Sequence, residues 1–82
     1  MHKIPRDLSG RDLAKALGRY GYRLVRETGS HIRLVSIHTG AEHKITIPDH
    51  EPVKIGTLNN ILNDISQYLK IPKQDLIQKL FG

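Results

Sequence analysis

Tyr22-Arg23-Leu24-Val25-Arg26-Glu27-Thr28-Gly29-Ser30-His31-Ile32-Arg33-Leu34-Val35-Ser36-Ile37 is the stretch that decides the fold. From Tyr22 to Thr28 the side chains alternate, with Tyr22, Leu24 and Arg26 on one face and Arg23, Val25 and Glu27 on the other, as a strand requires. Gly29-Ser30 turns the chain. His31 to Ile37 then alternates again, with Ile32 and Leu34 directed at a core and His31, Arg33 and Val35 directed away from it. Beyond lies a second turn, His38-Thr39-Gly40-Ala41, and a third strand from Glu42 to Ile47 that ends at Pro48. Two short turns joining three strands make an antiparallel meander.

The flanks are helical. Ser9-Gly10-Arg11-Asp12 reads as a helix start, with a hydroxyl to cap free amides and an acid three positions on. Leu13, Leu17 and Tyr20 follow at helical spacing; Gly18 weakens the last turn and Gly21 stops it, which predicts a helix from about Gly10 to Tyr20. After the polar connection Asp49-His50-Glu51-Pro52, the positions Leu58, Ile61, Leu62, Ile65 and Leu69 mark one apolar face of a helix from about Ile55 to Leu69. Lys70-Ile71-Pro72 breaks it, and Lys73 to Leu80 forms a last short helix whose Leu76, Ile77 and Leu80 need a surface to cover. The predicted fold is α+β, in the order α-β-β-β-α with a three-stranded antiparallel sheet and an extra short C-terminal helix. Residues 1–82 read as a single domain, with a core over about 8–69 and a helical extension over about 70–82.

A chain of 82 residues buries only about 60 to 65 per cent of its unfolded surface, so function is expected on an open face. The formal charge is +5, the pI near 9.8, and every arginine lies between Arg6 and Arg33. That balance favours a polyanion such as RNA, DNA or an anionic membrane surface, with a basic surface that only maintains solubility as the lesser alternative. The absence of cysteine excludes disulfides and thiolate metal sites. No run approaches the roughly 18 apolar residues needed to cross a bilayer, and the first residues lack a signal-peptide core, so a soluble, cytoplasmic chain without membrane attachment is expected.

His31 stands out among the side chains that carry chemistry. Histidine exchanges protons near neutral pH, and RNA cleavage needs a group that takes a proton from a 2′-hydroxyl or returns one to the leaving oxygen. Ser30 can orient the ring and Gly29 lets a backbone come close; spacing alone favours the plainer reading, an exposed strand residue beside an ordinary turn. His31, His38 and His43 can meet across strands, but with no cysteine and no carboxylate cluster a metal is not expected, and His38 and His43 are expected in water. Asp49 and Glu51 are candidate partners of His50. Arg23, Arg26, Arg33 and Lys44 decorate the strands. Lys54, with the amides of Gly56 and Thr57 at a helix start, suits a phosphate, or is a solvated lysine in a connection.

The ordered set Asp12-Leu13-x-x-x-Leu17, Gly21-Tyr22-x-Leu24-Val25-Arg26, Gly29-Ser30-His31, Ile47-Pro48-x-His50, Lys54-x-Gly56-Thr57-Leu58 and Ile61-Leu62 closely resembles the HicA (YcfA-like) family of toxins, over about Leu8 to Ile65. The resemblance implies a double-stranded-RNA-binding-domain-like fold and the toxin of a type II toxin-antitoxin system. It also implies an endoribonuclease that cleaves mRNA without a cofactor until a HicB-type antitoxin blocks it. It carries the family's active-site histidine onto His31, with Gly29 and Ser30 as its turn. Lys54, Gly56 and Thr57 fall on the helix-start motif, and Arg26, Arg33 and Lys44 are expected to join them on RNA. His50 falls in the Pro-x-His segment as an auxiliary candidate. Thr28 stands where many members carry a lysine. The segment after about Leu69 is longer than in compact members, and is expected to pack on the core or to serve a homodimer or a toxin-antitoxin hetero-oligomer. The alternative is a non-catalytic double-stranded RNA-binding module, against which Lys54 stands without neighbouring lysines; a third reading is an interaction module that has lost activity.

Overall fold

A computed structural model describes residues 4–82, so His2 and the first residues of the signal-peptide reading lie outside it. Helix α1 spans Gly10–Leu17, strands β1, β2 and β3 span Arg23–Glu27, His31–Ser36 and His43–Pro48, and helices α2 and α3 span Ile55–Leu69 and Lys73–Phe81. The sheet is antiparallel in the order β1-β2-β3. The α+β meander expected from the alternation is therefore present, and the bounds of α2 agree with its apolar periodicity.

The start of α1 is set by Ser9, whose hydroxyl accepts the amide of Asp12 at 3.1 Å. Its end is shorter than expected: at Gly18 the helix tightens into a single 3-10 turn, Gly18–Tyr20, because glycine gives α-helical backbone little support. Gly21, at φ 77°, then turns the chain into β1. Gly10 has a different role. A Cβ there would lie 2.2 Å from the Pro48 carbonyl oxygen, and its amide donates to His50 at 3.0 Å, so α1 is pressed backbone to backbone on the end of β3.

All three helices share one core. Leu13 and Leu17 of α1 meet Ile32, Leu34, Ile45 and Ile47 of the sheet, and Leu58, Leu62 and Ile65 of α2. Leu76 and Ile77 of α3 are buried in the same cluster, so the C-terminal helix packs on the core. Tyr22 and Val53 complete it.

Two expectations need correction. β1 does not keep its alternation: Leu24 pairs with Leu34, but Arg26 pairs with Arg33, and Val25 between them has no cross-strand partner. This bulge turns Arg26 to the outer face with Arg33 and sends Glu27 inward opposite Ile32, where it forms an ion pair with Arg11 of α1. Second, His43 is not in water. Its side chain is 16% exposed, its Nδ1 lies 2.7 Å from the Tyr22 hydroxyl, its Nε2 lies 3.2 Å from Asp64, and its ring stacks on Tyr68. Burial pushes the Tyr22 hydroxyl well above the ordinary tyrosine range, and the nearby Tyr68 and Asp64 act in the same direction.

Candidate functional site

With the helices on one side, the other face of the sheet is open. Cross-strand pairing arranges it in rows: Arg23, Val35 and Lys44 in one, and Arg26, Arg33 and Thr46 in the next. His31 begins the row beyond, paired with Pro48. Residues two apart on a strand share a face and stand about 6.7 Å from one another, so His31 and Arg33 are neighbours along β2. Arg26, Thr28, His31, Arg33 and Thr46 line one shallow depression of about 330 Å³.

The turn beneath His31 holds it from several directions. The Thr28 amide donates to the His31 carbonyl at 2.9 Å, and the His31 amide donates to the Thr28 hydroxyl at 3.2 Å. The Ser30 carbonyl accepts the amide of Asp49 at 2.9 Å, which ties the turn to the end of β3. The Ser30 hydroxyl lies 2.9 Å from His31 Nδ1. That contact engages one ring nitrogen and leaves Nε2 for exchange with solvent or a ligand. Gly29 has no atom within 4 Å of where a Cβ would sit, and its φ is not left-handed. Neither sterics nor backbone geometry therefore demands glycine there; what glycine provides is open approach to the turn.

The rows contain cations and no carboxylate. Among the described residues the ion pairs leave Arg26 and Arg33 without an acidic partner, whereas Lys44 has Glu42 at 3.6 Å. The acids of this end of the molecule are engaged elsewhere: Arg11 pairs with both Glu27 and Asp49. Asp49 is thus a partner of Arg11. His50 meets α1 through its backbone carbonyl, and its side chain is exposed outside the depression.

Lys54, Gly56 and Thr57 stand at the first turn of α2, in the helical layer, and do not line the depression. Lys54 caps that helix in extended conformation without a side-chain hydrogen bond. The neighbouring Ile55 lines a separate groove with Arg6 and Lys73. His31 and His43 are likewise apart, since they pair with opposite ends of the β2–β3 ladder; among the described residues no three His, Asp or Glu side chains converge as a metal site would need. Thr28 and Thr46 line the depression although the motif reading did not single them out as ligands. Thr46 was accessible from alternation, because it faces Arg33 directly.

The family model described as HicA toxin of bacterial toxin-antitoxin matches residues 10–66, well over half of the chain. The chain belongs to the HicA toxin family. It is thus a toxin of a bacterial toxin-antitoxin system, and membership implies an antitoxin partner. The HicA match runs from α1 into the last turn of α2 and contains the whole depression, while α3 lies beyond it. No curated protein and no solved structure gives a significant match. Among the described residues no helix is long and apolar enough to cross a membrane.

Proposed function

We propose that this HicA toxin is a metal-independent endoribonuclease that cleaves mRNA at the open sheet face, with His31 as the proton-transfer residue. The observation that carries the reading is the placement of His31: its ring is oriented by Ser30 at 2.9 Å and shares one depression with two arginines that have no acidic partner among the described residues. Arg26, Arg33 and Lys44 gather the phosphate backbone, and the open turn at Gly29 and Ser30 admits it. Lys54, with the free amides of Gly56 and Thr57, takes a second stretch of the same strand.

In the reaction the 2′-oxygen bonds to its own phosphorus and the P–O5′ bond breaks, its electron pair leaving on the 5′-oxygen. His31 accepts the 2′ proton, and the 5′-oxygen receives a proton from a second donor, for which His50, a lysine and water are the candidates. The products are a 2′,3′-cyclic phosphate and a 5′-hydroxyl. A HicB-type antitoxin that covers this face blocks substrate access and proton exchange together, and acidic residues on it would be drawn to the cationic rows.

The decisive experiment is a His31→Ala protein whose thermal unfolding matches the parent. Loss of strand scission on a labelled single-stranded RNA, with binding retained, is expected. Scission at the parental rate removes His31 from the reaction, and binding without scission by the parent itself leaves a non-catalytic RNA-binding module.

A further inference from the structure

Two arginines placed directly opposite one another on adjacent strands repel, and a sheet normally avoids the arrangement. Here it is created by a bulge. Had the alternation of Tyr22 and Leu24 continued, Arg26 would point inward and Val25 would stand opposite Arg33, leaving the outer row with one arginine. The extra residue Val25 re-aims Arg26, which is what bulges do where a strand must redirect one side chain. The two guanidinium groups then line one depression with His31, and among the described residues neither has a carboxylate to relieve the repulsion. A solubilising role needs charge on the surface but no pairing of like charges. An anion shared between the two groups removes the conflict, and a planar guanidinium binds phosphate oxygens through two parallel N–H donors.

We infer that Arg26 and Arg33 form a two-guanidinium clamp on the scissile phosphate, stabilising the charge that builds on its non-bridging oxygens while His31 moves the proton. The inference rests on the nuclease reading and deepens it: the arginines are catalytic residues as well as general contacts to the backbone. Neither arginine gives or takes a proton in this step, so the proton count of the cleavage is unchanged. Their effect falls on the rate of the bound complex, because developing charge is held best by donors already in place.

The test uses the full chain with Arg26→Lys, Arg33→Lys, Arg26→Gln and Arg33→Gln, and with Lys15→Gln as a charge control on the exposed side of α1. Each protein is assayed for single-turnover cleavage at saturating protein and for affinity toward an uncleavable 2′-O-methyl RNA. The lysine variants should keep affinity within about threefold and lose about 100-fold in rate, in the range seen when one preorganised donor is removed. Lys15→Gln should change neither. The glutamine variants should also melt no lower than the parent at low salt, since each removes a repulsion. A parental rate in either lysine variant overturns the clamp.

A second readout does not depend on cleavage. Titration with inorganic phosphate, followed through the arginine side-chain NMR signals, should perturb Arg26 and Arg33 together in the parent and in His31→Ala, and lose the shared response in either glutamine variant. Shared phosphate binding that survives either glutamine variant also overturns the clamp. If His31→Ala cleaves normally while the shared response depends on both arginines, the clamp stands and the role of His31 falls. If His31→Ala is inactive and the arginine variants behave as the parent, the reverse holds.

Discussion

A methyl group at Gly10 would sit 2.2 Å from the carbonyl oxygen of Pro48, a backbone atom that cannot swing aside without parting α1 from β3. Gly10→Ala should therefore destabilise the fold by about 2 kcal/mol, even though alanine is the better helix former, because overpacking outweighs propensity. Gly29 meets nothing within 4 Å, so Gly29→Ala should shift stability by less than about 0.5 kcal/mol. Urea unfolding of the two variants checks the contrast. If RNA must approach the turn closely, Gly29→Ala will also lower cleavage at unchanged stability, separating ligand access from folding at one residue. Tyr22 offers a pH test. Its hydroxyl is held protonated above the ordinary value of 10.0 by burial, so the unfolded chain ionises first as pH rises. The unfolded state then binds fewer protons than the native one, and the contribution, fully present below about pH 10, is lost above it. Tyr22→Phe should cost about 1 kcal/mol at neutral pH through the lost hydrogen bond to His43 and should flatten the alkaline limb of the stability profile.

At the level of elements, α3 is a wall of the core although it lies beyond the part of the chain that matches the family. Leu76 is fully buried against it, so Leu76→Ala should cost about 3 kcal/mol by cavity formation, measured by denaturant unfolding. Loss of less than about 1 kcal/mol would mean that the helix docks loosely. The sequence carried enough to place α2, the meander and the apolar face of α3, because those depend on local periodicity and on turn residues such as Gly21. The bulge at Val25 was not legible. Arg26 and Glu27 are both polar, so either register leaves the pattern of apolar positions intact, and the bulged one brings Glu27 to Arg11 of α1, a contact that no local pattern shows. The burial of His43 was hidden for the same reason: it depends on Tyr22, just before β1, and on Asp64 and Tyr68 of α2. His31, Ser30 and Arg33 were readable as a group because they are nearly contiguous on one strand, whereas Thr28 joins them through hydrogen bonds to the His31 backbone.

Across the whole molecule, charge is sorted as well as abundant. Arg11 pairs with both Glu27 and Asp49 at the flank of the sheet and offsets one of their two negative charges, which weakens the negative potential near the outer rows. The net charge of +5 is thereby felt most where Arg23, Arg26, Arg33 and Lys44 stand together. A single RNA strand laid over these four releases counterions at each phosphate it meets, with a slope of about −0.7 per contact in log affinity against log salt. Four contacts predict a slope of about −3, and Lys44→Gln should reduce it by about 0.7 if Lys44 leaves Glu42 to meet a phosphate. Fluorescence anisotropy with an uncleavable RNA across a salt series measures both values. A slope near zero would place RNA away from the sheet, and a parental slope in Lys44→Gln would show that the ion pair with Glu42 persists in the complex. Arg11→Gln provides the converse test: it frees Glu27 and Asp49 beside the same face, so affinity at low salt should fall even though Arg11 touches no phosphate, and the loss should shrink as salt screens the two carboxylates.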